Sequence, residues 1–142
     1  MIKIIHSYWA YLVLFVLVIG TLNAILGLVK NKEYSAKDFR ISLFTLIVSH
    51  IQLLIGIILY LTNNYFGQFS EIGMGEIMKN ASLRNLLVEH PITMILALAL
   101  ITIGYSKHKK KLTSKPKFKT LSVFYSIALV LILAKIPWNS WI

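Results

Sequence analysis

Histidines are the residues of this chain whose type and position could support chemistry. There are four, and His6, His50 and His90 lie at the start of, or within, long apolar stretches. Ionisable side chains are costly inside a bilayer and usually mark function there. Neutral imidazole is also the commonest side-chain ligand of metals. These three histidines are therefore candidate metal ligands.

His6 and His90 should lie at similar depth, because each is close to the outer start of an apolar stretch. Residues at three-and-four spacing share a helix face, and small or polar members mark a face that contacts other helices. The two lines that contain these histidines are His6, Trp9, Val13, Val16, Gly20, Asn23 and Gly27, and His90, Met94, Ala97, Ile101 and Gly104. Helices 1 and 3 are diagonal in a sequentially ordered four-helix bundle, and facing helices build cofactor sites. We therefore predict that His6 and His90 are the axial ligands of a haem iron, with Trp9 and Met94 on the haem-binding faces.

His50 lies near the middle of the second apolar stretch, about six residues from His90 in depth, or roughly 9 Å. It is also about a third of a turn from the polar stripe of its helix. That stripe comprises Ser42, Thr45, Ser49, Gln52, Gly56 and Tyr60. Binding to the same iron would need a tilted or kinked helix, and Pro91 could provide a kink. We keep His50 as an alternative iron ligand or a residue beside the cavity.

The fourth histidine, His108, lies in the basic run 107–111. A charge run of this kind is typical of a solvated loop, so we expect His108 to be exposed and inert.

Haem propionates are anionic and would need cationic partners at the wetter end of the site. Arg84 is the best candidate, and Lys79, Lys3 and Lys135 are others. Alternatively, Arg84 and Lys135 only anchor their helices at the membrane interface. Glu89 could orient an imidazole or relay protons, while Asn23 and Gln52 are expected to form interhelical hydrogen bonds.

The elements that position these residues are four long apolar stretches. The chain is 57% hydrophobic and only 14% charged, which is unlike an average soluble domain. The stretches cover about 5–29, 41–61, 86–105 and 121–136, and each can span a bilayer as a helix. We predict an all-α, up-and-down membrane four-helix bundle in which residues 1–142 form one transmembrane domain.

The basic residues predict the orientation of this bundle. Eleven of the fifteen Lys and Arg lie in the loops 30–40 and 106–120, which the positive-inside rule assigns to the cytoplasm. Both termini then face outward, with an outer aromatic belt of Trp9, Tyr65, Trp138 and Trp141. The net charge of +10 therefore indicates membrane topology, not nucleic-acid binding. In the outer loop 62–85, the segment 69–79 is expected to lie on the membrane or cap the bundle.

Several classes of chemistry are excluded by the sequence. The chain has no cysteine, which removes disulfides, thiolate metal sites, cysteine nucleophiles and covalent c-type haem attachment. It also lacks a phosphate-binding glycine loop, a serine-elbow motif and an HExxH helix.

Short motifs along almost the whole chain support a family resemblance. They are His6-Ser7, Asp38-x-Arg40, His50-Ile51-Gln52-Leu53, Glu89-His90, Gly104-x-Ser106-Lys107, Lys117-Phe118-Lys119 and Ile136-Pro137-Trp138. With these motifs the chain resembles small bacterial four-helix membrane proteins labelled cytochrome b-like. The resemblance implies a b-type haem held by His6, His50 and His90, and a role in membrane electron transfer. Members of that family carry an Arg shortly after the first His-Ser pair, where this chain has Tyr8 and Trp9. The resemblance thus supplies no propionate partner on helix 1.

From these residues and this resemblance we expect a noncovalent haem b protein of the bacterial inner membrane. It would be an electron carrier or small redox subunit, not a stand-alone enzyme. Its expected partners are the lipid bilayer and either a larger respiratory or other membrane complex or further copies of itself. One alternative is a non-redox accessory or assembly subunit of a larger complex. Another is a proton pathway through His50, Glu89 and Gln52.

Overall fold

The computed structural model describes residues 1–138, and within them the regular structure is helical. The helices are α1 (Ile2–Val29), α2 (Ala36–Thr62), α3 (Tyr65–Ile72), α4 (Met74–Lys79), α5 (Ala81–Arg84), α6 (His90–Lys109) and α7 (Ser114–Lys135). A π-helical segment, Asn85–Glu89, joins α5 to α6 without a break, so that residues 81–109 form one continuous rod.

Four of these rods are long and apolar enough to cross a membrane, as expected of a multi-pass membrane protein. They are α1, α2, residues 81–109 and α7, and they coincide with the four stretches predicted from the sequence. All four begin several residues before the predicted starts, because hydropathy marks the part of a helix that suits hydrocarbon and not its polar ends. For example, α2 begins at Ala36, where Asp38 accepts hydrogen bonds from the amide and hydroxyl of Ser35 and so caps the first turn.

The long helices pack through faces that carry small residues. Helix α1 contacts α2 and α7, and α6 contacts α7 and α2. Gly104 of α6 lies against Phe124 of α7, and Gly27 of α1 lies against the ring of Phe118. A side chain at either glycine would collide with the neighbouring helix, so these positions set how closely the helices approach.

Buried side chains include several on the two predicted lines, such as Val16, Ala97 and Ile101, while large apolar side chains cover the outside. The central core includes Leu17, Ala24, Ala97, Ile101, Phe118, Leu121, Tyr125 and Ala128. By contrast, Phe15 is 65% exposed and Val130 is equally so. An apolar outer surface of this kind suits contact with lipid chains.

The two basic connections lie together at one end of the molecule. The amide of Tyr34, between α1 and α2, donates a hydrogen bond to Oγ of Ser114 at the start of α7, over 2.8 Å. Nearby, the carboxylate of Asp38 is almost fully buried and accepts hydrogen bonds from Asn23 and Lys32. The predicted role of Asn23 as an interhelical hydrogen-bond partner is therefore confirmed.

His108 is also at this end, and the prediction that it is solvated is wrong. Its side chain is fully buried. Its two ring nitrogens contact the hydroxyl of Tyr34 and the carbonyl of Tyr105. The surrounding lysines point outward, whereas position 108 continues the inward-facing line through Ile101 and Gly104.

At the opposite end, the predicted outer loop is largely helical. Helices α3 and α4 are short and are separated by Gly73, whose φ of 90° favours glycine. Ile77 of α4 is fully buried, while Met74 and Met78 are exposed. Trp138 of the predicted aromatic belt is partly exposed, and Trp141 lies outside the described residues.

Candidate functional site

His6 and His90 lie side by side at the end of the bundle opposite the basic connections. The fifth residue of α1 is His6, and His90 is the first residue of α6. Their ring centroids are 6.5 Å apart and the ring planes are nearly perpendicular, at 84°. Both side chains are half-buried. The structure thus brings together the two histidines that the sequence placed at equal depth.

The orientation of His90 is fixed by α7. Its Nδ1 lies 2.9 Å from the backbone carbonyl oxygen of Lys135, the last residue of that helix. A carbonyl can only accept a hydrogen bond, so Nδ1 carries the proton and donates it. The lone pair is then on Nε2, which is the arrangement that a metal-binding imidazole needs.

Gln52 and Gly56 of α2 position His6. The carboxamide Nε2 of Gln52 donates to the backbone carbonyl of His6 over 2.8 Å, which confirms the predicted interhelical role of Gln52. At Gly56, an added Cβ would come within 3.1 Å of Cε1 of His6, so glycine leaves the imidazole its space.

Two polar atoms beside this contact are buried without a hydrogen-bond partner among the described residues. They are Nδ1 of His6 and Oε1 of Gln52. An imidazole nitrogen can donate and a carboxamide oxygen can accept, so these two atoms are chemically complementary.

A charged cluster adjoins His90. Glu89 accepts a hydrogen bond from Nε of Arg84 at 3.2 Å and lies 3.4 Å from Nζ of Lys135. Arg84 also donates through Nη1 to the carbonyl of Met78. Glu89 therefore partly neutralises both cations that were candidates for propionate binding.

His50 stands apart from this pair. Its side chain is exposed, its Nδ1 contacts the carbonyl of Leu46 in its own helix, and its Nε2 lies 3.4 Å from Oγ1 of Thr102 on α6. Within residues 1–138, no three His, Asp or Glu side chains converge as a metal site would require. The structure therefore places His50 between α2 and α6 and does not bring it to His6 and His90.

Trp9 and Met94 lie on the faces of the two histidines, and both are half-buried. The indole of Trp9 donates a hydrogen bond to the carbonyl of Val48 over 2.8 Å and packs with Val13 and Val16. This hydrogen bond links α1 to α2 about one turn after His6.

Sequence reasoning missed the carbonyl of Lys135 as the partner of His90. A backbone carbonyl that accepts a hydrogen bond cannot be identified from the pattern of side chains in a sequence. A signal was nonetheless present, because Pro137 prevents α7 from continuing and the last carbonyls of a helix have no partner within it.

The donor chemistry of this end fits a haem iron. Two imidazoles from different helices lie next to each other with perpendicular rings, and a backbone carbonyl already orients one of them. The second imidazole has a buried nitrogen that still lacks a partner. Neutral imidazoles of this kind suit iron, copper and zinc, and among cofactors they suit haem.

Comparisons with protein-family models, with curated proteins and with solved structures find no match to this chain. The resemblance to cytochrome b-like membrane proteins therefore depends on the motifs quoted from the sequence.

Proposed function

We propose that this protein binds haem b noncovalently between His6 and His90 and carries electrons within the membrane. The observation that supports this most strongly is the proximity of two inward-facing imidazoles on helices far apart in sequence, at a centroid separation of 6.5 Å. Two neutral imidazoles this close together could both hold the iron of one haem.

When bound, haem would supply one-electron redox chemistry, and His6 and His90 would hold its iron. The chain provides the rest. The carbonyl of Lys135 holds the tautomer and the plane of the His90 ring. Gln52 and Gly56 of α2 hold His6 of α1 in place. Because both histidines are held in place, their side chains would move little when a bound haem changes oxidation state.

Other residues near the pair complete the proposed site. Trp9 and Met94 provide apolar surface on the two histidine-bearing faces. Arg84 and Lys135 are the proposed propionate partners, and both would have to exchange or share their contact with Glu89. His50 lies away from this pair, against Leu46 and Thr102, and is the candidate ligand of a second site.

The orientation follows from the basic end of the molecule. We place the connections that carry eleven Lys and Arg in the cytoplasm and both termini outside, in a bacterial inner membrane. The site would then lie near the outer surface. Its redox partner would be a respiratory or other membrane complex, or another copy of this chain.

The test is the absorbance spectrum of protein purified in detergent from haem-replete cells. We expect a haem b Soret band that is lost in His90→Ala and in His6→Ala, whereas His50→Ala keeps it. Melting temperatures of the three variants show whether each remains folded. A colourless but folded wild-type protein, or a band that is insensitive to both substitutions, would contradict the proposal and favour an accessory subunit.

A further inference from the structure

A shallow groove lies on the outer surface along the seam between α1 and α2. Its volume is about 330 Å³, near the lower end of the range for small-molecule sites. Its lining consists of Phe15, Val16 and Ile19 of α1 with Arg40, Ile41 and Phe44 of α2. Five of the six residues are apolar, and the sixth is an arginine.

The groove is on the apolar outer surface of the helices, and its arginine is at the end nearer the basic connections. Phe15 and Phe44 are 65% and 50% exposed, so the walls project outward. Arg40 is in the second turn of α2, one turn before Phe44. The surface of the groove is apolar, and Arg40 at its end is exposed, so its guanidinium can extend past the groove toward lipid headgroups.

The charge of Arg40 is unmatched. Within residues 1–138 no carboxylate lies within ion-pair distance of it. The nearest acid in sequence, Asp38, is buried and bound to Lys32 and Asn23. Exposed Lys37 adds a second positive charge on the same turn. The region would thus attract an anion without a competing internal partner.

We propose that this groove is a binding site for an anionic phospholipid, with one acyl chain along Phe15, Ile19 and Phe44 and the phosphate on Arg40. Basic pockets between transmembrane helices bind anionic headgroups in this way. The proposal is independent of haem binding.

The experiment is native mass spectrometry of detergent-purified protein exchanged into equal amounts of phosphatidylglycerol and phosphatidylcholine. Wild type should retain phosphatidylglycerol preferentially. Arg40→Gln should lower that preference about fivefold, the effect of one cation near an anionic headgroup. Lys110→Gln is the matched control, since it removes the same charge from an exposed loop position outside the groove, and it should leave the preference almost unchanged.

A second variant tests the apolar part of the groove. Ile19→Trp should fill it and reduce the number of retained phospholipids, with an unchanged melting temperature showing that the bundle is intact. Equal effects of Arg40→Gln and Lys110→Gln would mean diffuse attraction to the basic end and would overturn the proposal. It would also be overturned by a dimer mass that Ile19→Trp abolishes, because the occupant would then be a second copy of this chain.

Discussion

The hydroxyl of Tyr34 lies 2.7 Å from Nε2 of His108 and joins the first connection of the chain to the end of α6. Nδ1 of the same ring faces the carbonyl of Tyr105 and must carry the proton. Nε2 is therefore the acceptor, and Tyr34 donates. Phe39 and Phe118 pack beside these rings, so the contact is part of an aromatic cluster at the basic end.

Removal of this hydroxyl should destabilise the protein. In Tyr34→Phe, Nε2 of the fully buried His108 loses its hydrogen bond, and a buried polar atom without a partner costs about 1–3 kcal/mol. The measurement is unfolding in mixed micelles followed by tryptophan fluorescence. Tyr8→Phe is the control, because Tyr8 is 71% exposed and should lose almost nothing. Equal stability of the two variants would mean that Tyr34 and His108 do not interact.

Tyr34 should also make stability depend on alkaline pH. Burial raises the pKa of its phenol from 10.0 to about 12. The folded protein thus holds this proton more tightly than the unfolded chain, and the resulting stability is complete below pH 10 and lost as pH rises to about 12. We expect a steeper fall in the free energy of unfolding over this range for wild type than for Tyr34→Phe. Parallel curves would contradict this assignment.

Gly56→Ala should disturb the candidate haem site without unfolding the bundle. The new Cβ would lie 3.1 Å from Cε1 of His6, which has to move by a few tenths of an ångström. We expect reduced haem content or a shifted Soret band. Alanine normally stabilises a helix by up to about 1 kcal/mol relative to glycine. Gly75→Ala is the matched control, because it makes the same change in α4 at a position where nothing lies within 4 Å of the new Cβ. A normal spectrum in Gly56→Ala would mean that His6 does not depend on this space.

Gly104→Ala should be more damaging than Gly56→Ala. Its Cβ would collide with Cβ of Phe124, an atom that cannot move unless α7 moves. Overpacking of this kind typically costs about 1–3 kcal/mol. The melting temperature of the purified protein is the measurement, again with Gly75→Ala as the control. An unchanged melting temperature would show that α6 and α7 separate more easily than their close packing indicates.

Hydropathy and helical spacing predicted much of this structure. Four apolar stretches gave four long helices, because the length required to span a bilayer is fixed. The three-and-four lines through His6 and His90 correctly identified buried positions such as Val16, Ala97 and Ile101. Small and polar residues at these spacings also indicated which faces contact other helices.

The same spacing could have identified two residues that were interpreted differently or overlooked. His108 follows Gly104 by four residues, but the adjacent lysines suggested a solvated loop. Asp38 precedes Ser42 by four and begins the polar stripe of α2, where it is buried. In both cases, charged residues suggested an exposed position, although the residue lies on the buried face of its helix. The bond from His90 to the carbonyl of Lys135 needed the structure, since it depends on how α6 and α7 meet.

The π-helical turn at 85–89 sets the rotation between the residues before and after it. Hydrogen bonds in a π turn reach one residue farther than in an α-helix, so the segment is equivalent to an α-helix with a single-residue insertion. The hydroxyl of Tyr60 binds the carbonyl of Leu87 in this turn. In a regular α-helix, residues five apart lie about 140° apart around the axis, so Arg84 and Glu89 would be on different faces. The wider π turn thus allows the Arg84–Glu89 ion pair to form next to His90.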